Sequence, residues 1–108
     1  MFTVNLGGEG EVPGSLNQQS GWVLTPAWLS SQGGQSLADL VTAGATFVIC
    51  PNDAIALPDG CVDRVDTNSV PIDMRTWLGV GVQSSEIRRI PKAGGQWFRD
   101  GVLAWTKP

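Results

Sequence analysis

The residues best suited to chemistry in this chain are small and polar, and they follow apolar runs. Asn52 and Asp53 come just after Phe47-Val48-Ile49-Cys50, and Asn68 and Ser69 come just after the mixed run Cys61 to Thr67. Amides, hydroxyls and carboxylates at the carboxyl end of a strand can hydrogen-bond a polar ligand, and open α/β sheets bind their ligands there. Two strands ending this way would set polar groups side by side along one crevice. Taken singly, each of these residues is equally an ordinary turn former. The chain has no His, which removes the commonest general base and excludes Ser-His-Asp and Cys-His nucleophiles. Cys50 and Cys61 fit no metal-ligand spacing and read as buried or half-buried thiols.

Several elements must position these groups. Phe2 to Leu6 reads as a strand running into Gly7-Gly8-Glu9-Gly10, where three glycines allow either a close approach to a ligand or a plain tight turn. Trp22 and Trp28 flank Thr25-Pro26 in a Trp-, Ser- and Gly-rich stretch, and either stack on a ligand ring or cover a core edge. Ser36 to Ala43 is the clearest helix, with Ser36 as N-cap, Gly44 as terminator and Leu37, Leu40 and Val41 on one stripe. It feeds a strand at Thr46 to Cys50. Leu57-Pro58-Asp59-Gly60 turns the chain into the strand Cys61 to Thr67. Met74 to Val82, broken by Gly79 and Gly81, reads as a loop with at most one helical turn. Ser84 to Ile90 is a second helix, capped by Ser84 or Ser85, with Arg88 and Arg89 suiting its C-terminal dipole. Pro91 to Gly95 stops it, and Gln96-Trp97-Phe98 opens a last strand running to Trp105.

At 108 residues and 42% hydrophobic content the chain makes one foldable domain, 1–108. Only 16% of residues are charged, below the ~25% usual for soluble domains, which points to a self-association face or to a domain cut from a larger protein. Net charge is −3 and no basic cluster exceeds Arg88-Arg89, so no nucleic-acid partner is expected. No apolar run reaches 18 residues and no secretory leader is visible, so no membrane association is expected and the expected location is cytoplasmic.

Asn52-Asp53-Ala54 followed by Leu57-Pro58-Asp59-Gly60-Cys61-Val62-Asp63 resembles the centre of class I S-adenosylmethionine-dependent methyltransferases. Val4-Asn5-Leu6-Gly7 followed by Pro13-Gly14-Ser15-Leu16-Asn17 resembles a subtype that passes from its glycine loop to the second strand without a long helix. Glu86-Ile87-Arg88-Arg89-Ile90, Gly94-Gly95 and the aromatic run after them resemble the helix, glycine turn and fifth strand. The likeness spans Thr3 to about Leu103 in the right order. It departs from the pattern where Gln18 and Gln19 stand in place of the acid that grips the ribose hydroxyls. It also lacks the family's N-terminal substrate region and its C-terminal helix and antiparallel hairpin.

The resemblance implies an α/β fold: a minimal Rossmann-like methyltransferase core of about five mostly parallel strands, ordered roughly 3-2-1-4-5 and lacking the C-terminal hairpin. It implies S-adenosylmethionine as cofactor and methyl transfer to an unknown small-molecule or protein acceptor. Gly7, Gly8 and Gly10 would lie under the methionine part, and Gln18 and Gln19 near the ribose. Asp53 would meet the adenine amine, the Ala54 amide a ring nitrogen, and Asn68 and Ser69 the floor beside the sulfonium. Asp73 is the carboxylate expected to orient or deprotonate the acceptor. Trp97, Phe98, Val102 and Trp105 would make the last strand an apolar edge, so a homo-oligomer or a docked domain is expected. Two other readings stand beside this one: a non-catalytic, truncated interaction module, and the terminal toxin-like effector domain of a larger polypeptide.

Overall fold

The structure, a computed structural model, describes residues 1–7, 14–20, 44, 46–76 and 79–108. Strands β1 (Thr3–Leu6), β2 (Leu16–Gln19), β3 (Thr46–Ile49) and β4 (Val62–Thr67) come first. A two-by-two hairpin follows, β5 (Arg75–Thr76) with β6 (Gly79–Val80), then helix α1 (Ser84–Arg89). Strands β7 (Pro91–Arg99) and β8 (Val102–Thr106) end the chain.

Six strands form one sheet in the order β3-β2-β1-β4-β7-β8. The first five are parallel, in the order expected of them, and β8 runs antiparallel to β7. The domain is thus α/β with a mostly parallel sheet. Only the nine residues 7–15 link β1 to its parallel neighbour β2, fewer than the dozen or more of an ordinary helical crossover.

Alternation along the strands gives the two faces different chemistry. Leu16, Val4, Val65 and Trp97 are register neighbours across four strands, and Val4 and Val65 are fully buried. Ile55, Val82, Ile87 and Ile90 complete the core on that side. Helix α1 has six residues, too few to be stable alone, so burial of Ile87 and Ile90 holds it in place. The opposite face carries the row Phe47–Asn17–Asn5–Asp66–Phe98. Its three central members are buried polar residues, where a parallel sheet normally carries Val, Ile or Leu.

Three expectations are corrected. The last strand opens at Pro91 and not at Gln96, so Gly94 and Gly95 lie within it, and it does not run unbroken to Trp105, because Asp100 (φ 51) and Gly101 (φ 80) turn it into the β7–β8 hairpin. Both turn residues have positive φ, which suits the twist of a two-residue hairpin. The chain therefore ends in an antiparallel hairpin after all. The stretch from Met74 to Val82 holds the β5–β6 hairpin in place of a loop, and Gly81 is required there because a Cβ would lie 2.5 Å from the Pro71 carbonyl oxygen. Helix α1 takes Gln83 as its N-cap without a side-chain bond, so neither Ser84 nor Ser85 caps it. The proposed helix over 36–43, Trp22, Trp28, Gly8 and Gly10 lie outside the described residues.

Candidate functional site

The carboxyl ends of β1, β2, β3 and β4 carry the polar residues singled out from the sequence, and hydrogen bonds join Gly7, Gln18, Gln19 and Asn52 among them, but not Asp53, Asn68 or Ser69. Gly7 directly follows β1 with φ 67, a left-handed conformation costly for any other residue. A Cβ on Gly7 would also lie 3.0 Å from Val70 Cγ1. Backbone and side-chain space both demand glycine here.

The structure separates Gln18 from Gln19. Adjacent strand residues face opposite ways, so Gln18 lies on the core side and Gln19 on the polar side. Gln18 is fully buried and fully employed. Its Oε1 accepts from the Gly7 N–H at 3.0 Å, and its Nε2 donates to the Cys50 carbonyl at 2.7 Å and to Asn52 Oδ1 at 3.1 Å. Gln19 is also fully buried, yet only its Nε2 is used, in a long 3.4 Å bond to the Gly7 carbonyl. Among the described residues Gln19 Oε1 has no hydrogen-bond partner. A buried acceptor left empty costs about 1–3 kcal/mol, so it stands out at a strand end.

After β3 the chain turns at Asn52 and Asp53. Asn52 is half-buried and its Nδ2 donates to the Val80 carbonyl at 3.0 Å. Asp53 is exposed. The Ala54 amide donates to the Pro51 carbonyl at 3.2 Å and closes the turn, so a ligand would have to displace that bond. After β4, Asn68 is half-buried and Ser69 is exposed with φ 55, its N–H donating to Asp100 Oδ1 at 2.7 Å.

Asp73 is a cap. Its Oδ1 accepts from the Ser84 N–H at 2.8 Å and its Oδ2 from the Ser84 hydroxyl at 2.6 Å. It supplies the side-chain oxygen at the helix start that Gln83 does not. The Ser84 hydroxyl, then its amide, hold the carboxyl below its ordinary range, which makes it a weaker base.

Sequence reasoning missed three arrangements. Asn5 donates through Nδ2 to Asn17 Oδ1 at 3.1 Å, while its own buried Oδ1 has no partner among the described residues. A polar residue two positions before the first glycine of the loop was the available signal. Arg89, read as a helix-dipole cation, is a five-bond clamp. It donates to both oxygens of Glu86, to the Leu57 and Ile55 carbonyls and to Asp59 Oδ1. Glu86 Oε1 also accepts from the Ile55 N–H at 2.7 Å. The Arg89 guanidinium, then that amide, keep the Glu86 carboxyl low against the cost of its burial, and Glu86 with Asp59 raises Arg89. The third is the link through Asn52.

Among the described residues no three His, Cys, Asp or Glu cluster closely enough to hold a metal ion, and no helix is long and apolar enough to cross a membrane. Comparison with known proteins found no matching family model, no matching curated protein and no matching solved structure.

Proposed function

We propose that this chain is a minimal Rossmann-like methyltransferase domain that binds the adenosyl group of S-adenosylmethionine at the carboxyl ends of β1 to β4. The observation that carries the reading is the buried Oε1 of Gln19, without a partner among the described residues, beside left-handed Gly7. A ribose hydroxyl is the donor such an acceptor lacks, and Gln19 stands where the resemblance expects the ribose contact. The order of the five parallel strands supports it as well. Asp53 accepts from the adenine amine, and Asn68 and Ser69 line the floor.

Methyl transfer needs in-line placement of acceptor and methyl group, so positioning supplies much of the rate and no triad is required. Asp73, occupied by Ser84, is left out of the chemistry in this reading. Titration with S-adenosylmethionine and S-adenosylhomocysteine tests it: saturable one-to-one binding is expected, and no binding at millimolar ligand overturns it.

The second reading, a non-catalytic interaction module, is favoured by one set of observations. Gln18, the Ala54 amide and Asp73, three groups expected to serve ligand or acceptor, are used internally. Homo-association remains part of the proposal, supported by the exposure of Val102 (70%) and Leu103 (49%) on the edge strand β8.

A further inference from the structure

One line of side-chain amides runs from Gly7 to the β5–β6 hairpin. The Val80 carbonyl accepts from Asn52 Nδ2, Asn52 Oδ1 accepts from Gln18 Nε2, and Gln18 Oε1 accepts from the Gly7 N–H. Each orientation dictates the next. Turning the Asn52 amide over would oppose its oxygen to the Val80 carbonyl and its nitrogen to Gln18 Nε2. Turning Gln18 over would oppose its oxygen to the Cys50 carbonyl and its nitrogen to the Gly7 N–H. Neither amide can reverse alone, so the chain has one direction, set at both ends by backbone groups.

The two ends matter for different reasons. At one end the Gly7 N–H is shared between Gln18 Oε1 and the Gln18 carbonyl oxygen at 2.9 Å, so loss of the Oε1 branch weakens its protection without freeing the group. At the other end Asn52 holds two elements, because besides its bond to Val80 in the hairpin its backbone carbonyl accepts from the Gln83 N–H at 3.2 Å. Gln83 is the N-cap of α1, and its Nε2 donates to the Gly81 carbonyl. Displacing Asn52 therefore disturbs the hairpin and the helix start together.

We propose that Gln18 and Asn52 form a positioning relay that makes the placement of the β5–β6 hairpin depend on the state of the backbone at Gly7. Where that backbone holds an adenosyl ligand, a step that rests on the reading above, the relay passes its occupancy to the surface carrying exposed Met74 and Arg75. The coupling itself needs no ligand.

The test is amide hydrogen exchange followed by NMR on the whole chain. Asn52→Asp removes the donor to Val80 while keeping an acceptor for Gln18, and Gln18→Met removes the amide at similar size. Asn52→Asp is expected to change exchange at the Gly7 N–H by about tenfold, within the usual range for coupled sites. Gln18→Met should do the same at the Gly81 and Gln83 N–H groups, whereas Ala56→Ser, on the same loop, should move neither. If both variants fold and each leaves the far end at the wild-type rate, the relay is overturned. Gln18→Met removes a buried amide and can fail to fold; Asn52→Asp alone then decides, by the Gly7 rate. A ligand arm adds S-adenosylhomocysteine: protection gained at Gly81 and Gln83 in the wild type but not in Asn52→Asp supports transmission. Absence of binding sinks the adenosyl reading instead and leaves the ligand-free arm to judge the relay.

Discussion

Gln19 is the residue on which the functional reading turns, and its neighbour shows why. Gln18 and Gln19 are the same residue type, adjacent and equally buried, yet among the described residues one amide is satisfied and the other holds an empty acceptor. An empty acceptor is an expense of the ligand-free fold, so removing it should not hurt that fold. Gln19→Leu, similar in size and without the orphan oxygen, is expected to leave the thermal midpoint unchanged or higher. A clear drop in that midpoint would make Gln19 a structural amide like Gln18. Asp53→Ala, at an exposed turn, is expected to spare the fold and weaken adenosyl binding by about 1–3 kcal/mol. Asp73 separates cap from base. Asp73→Asn keeps an acceptor for Ser84 and tolerates φ 55, so fold and ligand affinity should persist. Asp73→Ala does neither and should melt earlier, seen by circular dichroism. Loss of methyl transfer in a fully folded Asp73→Asn would restore the base.

At the scale of elements, the loop 55–59 is held to α1 chiefly by the Arg89 fork. Lysine cannot reach Glu86, Asp59 and two carbonyls at once, so Arg89→Lys should cost about 2 kcal/mol in denaturant unfolding. Acid should release the same clamp. The folded pKa of Glu86 lies below its ordinary 4.5, so its contribution is complete above that value and lost as pH falls through the lower folded value. Thermal midpoints measured downward from pH 7 should stay flat and then drop below about 4.5, and Glu86→Gln should flatten that drop.

These elements also show what could be read from the sequence. The strands β1, β3 and β4, and helix α1 with its Pro91 stop, followed from apolar runs, turn residues and glycines acting within a few positions. The β7–β8 hairpin carried its own signal, Asp100-Gly101 between aromatic and aliphatic residues, the dipeptide such turns prefer. Reading the run as one strand overlooked it. The Asp73–Ser84 cap and the bonds of the Arg89 fork beyond Glu86 were not legible, because they join residues 11 to 34 positions apart that only the folded chain brings together. The strand β2, Leu-Asn-Gln-Gln, has little β propensity. It is held by side-chain bonds from Asn17 on one face and Gln18 on the other.

For the whole molecule, the two sheet faces divide the labour: one builds the core, and the other carries the buried polar row Asn17–Asn5–Asp66 with Gln19 further along β2. The edge strand β8 has no charged residue and leaves Val102 and Leu103 exposed, which favours association. A register shift beside Trp97 interrupts the β7–β8 ladder and blunts continuous strand pairing. Side-chain packing is then the expected contact, and Leu103→Lys should return the mass to a single chain by light scattering. An identical mass for both proteins would contradict that. The central claim is the adenosyl pocket, and calorimetric titration of wild type and Gln19→Leu with S-adenosylhomocysteine tests it most directly. The wild type is expected to bind one equivalent and Gln19→Leu at least about tenfold more weakly, the loss of one buried hydrogen bond. No heat from the wild type at millimolar ligand, or equal affinity in both proteins, would contradict it.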